Sequence, residues 1–155
     1  MLITSSRKPS ASTRTLCKHL ASFFGCEYPN RGKMGMGEVI DLAQDSLLII
    51  IGEYHGNPGS IVFYGPGGHC LLSLYISVLS VPASYSRTSG PVIEGDNELV
   101  PLMSELLSED TEGSSQSLVL DISGNTMEFK ENGKVLFSLR IKSYMVYEGD
   151  EDCSL

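Results

Sequence analysis

The side chains best equipped for chemistry in this chain lie near its start. Thr4-Ser5-Ser6-Arg7-Lys8-Pro9-Ser10, then Thr13 and Arg14, and later Asn30-Arg31-Gly32-Lys33, set hydroxyls and cations side by side. Hydroxyls and backbone N–H groups at a helix N-terminus donate to an anion, and guanidinium and ammonium groups add charge where a phosphodiester could lie. The chemistry on offer is the holding of phosphate, with no bond broken. A blander account has Ser10 or Ser12 capping a helix, Pro9 stiffening the loop and the bases solvated. That account covers Ser10, Ser12 and Pro9 well, but it explains less of why both loops carry Arg and Lys.

The charge distribution bears on both accounts. The 155-residue chain has a net charge of −8, which alone argues against a polyanionic partner. Residues 1–37, however, hold six bases against the single acid Glu27, a net +5, while residues 38–155 hold five bases and 18 acids, a net −13. Such polarity suggests one face for an anionic partner and a remainder that repels it; the alternative is chance clustering of solvated charge, and charge alone does not decide between them.

Other chemistries find no anchor. Gly32-Lys33 fails as a Walker A loop, because Glu27 stands where its first glycine belongs and Met34 replaces the Ser or Thr that holds magnesium. Gly32 to Gly37 follows no clear strand, so the dinucleotide fingerprint fails as well. His19, His55 and His69 make no metal-binding spacing, and Cys17 with His19, two apart on a helix, would face apart. His69 and Cys70 would point to opposite faces of a strand. No G-x-S-x-G elbow is present, and the acids cluster in loops and in the tail, so no enzyme activity, cofactor or metal is expected. Cys17, Cys26, Cys70 and Cys153 form no C-x-x-C pair, the N-terminus has no apolar signal segment, and the longest aliphatic run is Leu47 to Ile51. These features imply a cytoplasmic protein with buried or idle thiols and no membrane partner.

The elements that must carry the basic loops follow from periodicity. A short strand, Met1 to Thr4, leads into the first basic loop, and a helix capped by Ser10 or Ser12 runs to about Phe24. Leu16, Leu20, Phe23 and Phe24 form its apolar stripe, Arg14 and Lys18 share a face, and Gly25 is a fitting stop. The second loop, Tyr28 to Gly37, precedes a short helix over Glu38 to Gln44. Leu47 to Glu53 reads as a strand buried on both faces, followed by strands over Ile61 to Tyr64 and Cys70 to Leu79 with glycine-rich turns between. Residues 81–91 read as a linker. Asp96 is placed to cap a helix over Glu98 to Leu107, and residues 108–116 form an acidic loop. Strands are expected over Leu118 to Ile122, Thr126 to Lys130 and Lys134 to Tyr147, before an acidic tail over residues 148–155.

The pattern repeats within the chain. Ser46-Leu-Leu-Ile-Ile-Ile, Gly56-Asn57, Phe63 and Leu71-Leu72-Ser73-Leu74-Tyr75-Ile76 match Ser117-Leu-Val-Leu-Asp-Ile, Gly124-Asn125, Phe129 and Leu136-Phe137-Ser138-Leu139-Arg140-Ile141. Each copy follows a helix and comprises strand, turn, strand, turn and long strand. The expected fold is therefore α/β with two similar halves, residues 1–80 and 92–147, each a helix packed on a small mixed β-sheet.

At the basic loops the chain resembles the Brix-domain ribosome-biogenesis family. Thr4-Ser5-Ser6-Arg7-Lys8-Pro9-Ser10, Asn30-Arg31-Gly32-Lys33 and the turn Gly56-Asn57-Pro58-Gly59 are similar to that family's motifs, over essentially all of residues 1–155 and closest to its short stand-alone archaeal members. The resemblance implies a single domain whose halves resemble the anticodon-binding domains of class II aminoacyl-tRNA synthetases. It also implies binding of ribosomal RNA or pre-rRNA during rRNA processing and subunit assembly, with ribosomal or assembly proteins as further partners and no DNA. Arg7, Lys8, Arg31 and Lys33 then become the RNA-binding residues, supported by Ser5, Ser6, Arg14 and Lys18. The alternative is a protein-interaction scaffold whose N-terminal bases dock acidic partners. The basic region holds Tyr28 but no aromatic cluster, so backbone and shape reading of folded RNA is expected over single-strand stacking.

Overall fold

The computed structural model describes residues 1–80, 91–107 and 118–147. The acidic loop at 108–116, the acidic tail at 148–155 and all of the linker except Pro91 lie outside the described residues. The elements are β1 (Leu2–Ser5), α1 (Ala11–Phe24), α2 (Met36–Ala43), β2 (Leu48–Tyr54), β3 (Asn57–Tyr64), β4 (Cys70–Ser80), β5 (Val92–Glu94), α3 (Val100–Leu107), β6 (Leu118–Ser123), β7 (Thr126–Glu131) and β8 (Lys134–Val146). The strands form one eight-stranded sheet in the order β1-β2-β3-β4-β8-β7-β6-β5, which corrects the expectation of two small sheets. Strand β5 was not expected; three residues are too few to register a period.

The chain divides into two compact units. The first contains Met1–Ala21, Cys26–Ile76 and the described residues from Lys142 on; the second contains Ser22–Gly25 and the described residues between Ser77 and Ile141. In the first unit β1 lies parallel to β2, and β2, β3 and β4 follow as an antiparallel meander. Parallel neighbours need a long crossover, which α1 and α2 supply. All four residues of β1 and the run Leu48 to Ile51 are buried, as expected of strands covered on both faces. Helix α2 closes one part of this core with Val39 and Ala43 against Leu2, Leu48 and Ile50.

The second unit repeats the order: β5 lies parallel to β6, and β6, β7 and β8 form a meander with α3 in the crossover. Its strands alternate, so Leu118, Leu120, Ile122, Met127, Phe129, Phe137, Leu139 and Ile141 are buried on one face. Phe129 and Phe137 stack at 4.2 Å, and Phe23, from the last turn of α1, meets Phe129 edge-to-face at 5.0 Å. The expected cap of α3 is corrected by one residue: the Leu99 N–H donates to Asn97 Oδ1 at 2.8 Å, while Asp96 Oδ1 accepts the Gly124 N–H at 2.9 Å. Gly95 makes this junction possible, because its φ is +122° and a Cβ there would overlap the Ile122 carbonyl.

Cys17 and Cys26 carry free thiols. Cys70 is disulfide-bonded, which departs from the expectation of buried or idle thiols throughout. Among the described residues no helix is long and apolar enough to cross a membrane.

Candidate anion-binding site

The two basic loops, far apart in sequence, meet at the end of β1. The Thr4 hydroxyl donates to the Pro29 carbonyl at 3.0 Å and the Ile3 N–H to the Glu27 carbonyl at 3.1 Å, so the Tyr28–Gly37 segment runs beside β1. Arg31 Nη1 then donates to the Ser5 carbonyl at 3.1 Å, and Arg31 Nε to the Met34 carbonyl at 2.7 Å. Arg7 Nε reaches the same Met34 oxygen at 3.3 Å. Two guanidinium groups thus converge on one carbonyl. Burial, and then the charge of Arg7, pull the Arg31 guanidinium below its usual value, although an arginine stays protonated.

The eight residues expected to touch RNA separate on burial. Arg7, Lys8, Arg14, Lys18 and Lys33 are exposed, and Ser6 is half-buried with its N–H donating to the Ile51 carbonyl at 2.9 Å. Among the described residues none of the five exposed bases forms an ion pair. Ser5 is fully buried and its hydroxyl donates to the Ser6 carbonyl at 2.9 Å. Arg31 is only 8% exposed. Both side chains are thus drawn inward: two Arg31 N–H groups tie the second loop to β1, and Ser5 lies inside the junction.

The start of α1 also differs from the expected open anion site. Ser10 is the cap, its Oγ accepting the Thr13 N–H at 3.3 Å, while the Ser12 hydroxyl donates to the Gly56 carbonyl at 3.4 Å. The Glu53 carboxylate accepts the Ser10 N–H and, at 2.7 Å, the Thr13 hydroxyl. These two hydrogen bonds hold Glu53 below the usual carboxylate range, with Arg14 adding to the shift. The anion at this helix start is the chain's own. Sequence reasoning missed Glu53 because its orientation comes from an irregularity: the β2–β3 register shifts between Gly52 and Glu53, so Glu53 pairs with Pro58 and Gly59 is the extra residue. A glycine on each strand near this point was the available signal.

Elsewhere, the described residues contain no His, Cys, Asp and Glu group able to hold a metal ion. His19 is half-buried on α1, and burial lowers its pKa. The Cys17 thiol, on the buried face of the same helix, is pushed up to about 12 by desolvation.

No family model matches the chain. A protein of Methanococcoides burtonii named "Probable Brix domain-containing ribosomal biogenesis protein" is 48% identical over 149 residues, 93% of this chain and 96% of the relative. A protein of the same name from Methanosarcina mazei is 35% identical over 157 residues, 95% of this chain and 100% of the relative. Among solved structures, Mil, an archaeal Imp4-like protein, superposes with a TM-score of 0.74 at 25% identity, covering 95% of this chain and 100% of that one. Identity of this degree over nearly the full length of both chains is decisive: the chain belongs to the Brix domain-containing ribosomal biogenesis proteins, in the company of archaeal relatives.

Proposed function

We propose that this chain binds ribosomal RNA during rRNA processing and subunit assembly, in the cytoplasm and without catalysis. Its family supports a role in ribosome biogenesis. The observation that carries the finer reading is the convergence of Arg7 and Arg31 on the Met34 carbonyl, without an ion pair to Arg7 among the described residues. Like charges held together raise the local potential and favour an incoming phosphate. Arg7, Lys8, Lys33, Arg14 and Lys18 are the contact residues, with Ser6 beside them, and Arg31 fixes the loop that presents Lys33. On this reading each unit is of the kind found in anticodon-binding domains of class II aminoacyl-tRNA synthetases, and ribosomal or assembly proteins share the RNA.

The test is salt-dependent binding to structured ribosomal RNA by wild type, by Arg7→Ala with Lys33→Ala, and by Lys134→Ala in the second unit. Each phosphate contact contributes roughly 0.7–0.9 to the slope of log K against log salt. The double variant is expected to bind more weakly with a slope shallower by about 1.5, and Lys134→Ala to match wild type. Equal affinity and slope for wild type and the double variant would refute the assignment. Partners that survive ribonuclease digestion but are lost from the double variant would favour docking of acidic proteins instead.

A further inference from the structure

The β2–β3 hairpin ends in two aromatic rings that the core does not use. Tyr54 is 66% exposed, the most exposed large hydrophobic side chain among the described residues. Its ring meets that of His55 edge-to-face at 4.1 Å. The hairpin tip that carries them is held against the first turn of α1, because Glu53 bonds Ser10 and Thr13, and Ser12 bonds the Gly56 carbonyl. That turn leads directly to the exposed Arg14, and Lys8 lies exposed just before it.

The backbone is shaped around this arrangement. His55 and Gly56 have φ of +52° and +76°, the pattern of a two-residue turn that prefers Asn-Gly. The β7–β8 hairpin uses that preferred pair, Asn132-Gly133, with φ of +51° and +80°. An imidazole is thus kept in a left-handed conformation where Asn would sit with less strain, and such outliers cluster at binding sites. On the other side of Tyr54, Gly59 must lack a side chain, since a Cβ there would come 2.7 Å from Tyr54 Cβ. The bulge, the left-handed histidine and the bare glycine together leave one aromatic ring facing solvent.

We propose that this hairpin tip is a stacking platform for an unpaired nucleobase of bound RNA, with Tyr54 as the stacking ring, His55 as its buttress, and Lys8 and Arg14 facing the adjoining phosphates. The proposal rests on the RNA-binding reading above and adds to it a preference for looped over fully paired RNA. A π-face accepts any base, and bases within a duplex are already stacked on one another. This adds an aromatic contact to a region whose sequence favoured backbone and shape reading of folded RNA over stacking.

The full-length protein is titrated with a fully paired RNA duplex and with the same duplex interrupted by an unpaired loop carrying a fluorescent adenine analogue. Wild type is expected to bind the looped RNA more tightly and to quench the analogue. Tyr54→Ala loses the quenching and weakens looped-RNA binding about 10-fold, the scale of one base–aromatic stack, and leaves duplex binding unchanged. Tyr54→Phe keeps the ring and behaves as wild type. Looped-RNA binding by Tyr54→Ala equal to wild type, or an equal loss on both RNAs, would overturn the proposal. A wild-type protein that binds neither RNA would instead overturn the RNA-binding reading itself.

Discussion

Removing the Glu53 carboxylate tests how the first unit is held together. The carboxylate accepts the Ser10 N–H and the Thr13 hydroxyl, and Thr13 is fully buried. Hydrogen bonds to a charged group contribute about 1.5–3 kcal/mol each when shielded from water. Glu53 is only half-buried, and the Ser10 and Thr13 hydroxyls remain 3.1 Å apart as alternative partners. Discounted for that solvation, Glu53→Ala is expected to cost about 1.5 kcal/mol, which lowers the thermal midpoint of a chain this size by about 5 °C. The sign of the pH dependence follows from the lowered pKa. A carboxylate depressed in the folded state stabilises fully above the ordinary glutamate value, and the contribution fades as pH falls through the folded value. Thermal unfolding followed by circular dichroism should therefore show the full difference between wild type and variant at neutral pH and a shrinking one below about pH 4. Asp121, also depressed by its hydrogen bonds to Ser123 and Lys130, is present in both proteins and cancels in the comparison. Equal midpoints at neutral pH, or a difference undiminished in acid, would refute the reasoning.

Two further outcomes are expected. Gly95→Ala introduces a Cβ against the Ile122 carbonyl at a φ of +122°, so it should lower stability by about 2–4 kcal/mol, read as a lower urea midpoint at unchanged slope; a midpoint like that of wild type would contradict it. Cys17, with its thiol pushed up to about 12, should resist iodoacetamide in the folded protein and react once urea unfolds it, as peptide mass mapping would show; labelling of native protein at the rate of a free thiol would be the contrary result.

The strands were legible where period and composition agree. The aliphatic run before Gly52 reads as a doubly covered strand, and the repeat of strand, turn, strand, turn and long strand reappears as two meanders of the same order. The end of α1 was legible too, since Gly25 follows the stripe that carries Phe23 into edge-to-face contact with Phe129. What escaped depends on three-dimensional accounting. Arginines are usually solvated, so nothing in Asn30-Arg31-Gly32-Lys33 distinguishes the buried Arg31 from the exposed Lys33. Ser5 was read as a phosphate donor because it belongs to a polar string, yet strand pairing carries that position inside. Glu53 was invisible as the partner of Ser10 and Thr13, because it sits where a single extra residue in β3 shifts the strand register. Composition speaks for residue types, and the bulge decides where they point.

The make-up of the first unit has a consequence for the order in which the protein can fold as it is made. That unit includes the described residues from Lys142 on, and the Tyr147 N–H donates to the Leu71 carbonyl at 3.0 Å. Synthesis runs from the N-terminus, and domains ordinarily fold as they emerge. Here Leu71 gains its partner only after every described residue of the second unit has been translated. The basic loops precede the second unit in the chain, but the unit that carries them is completed only by residues that follow it. A nascent chain halted anywhere before Lys142 therefore displays the basic loops on an unfinished support.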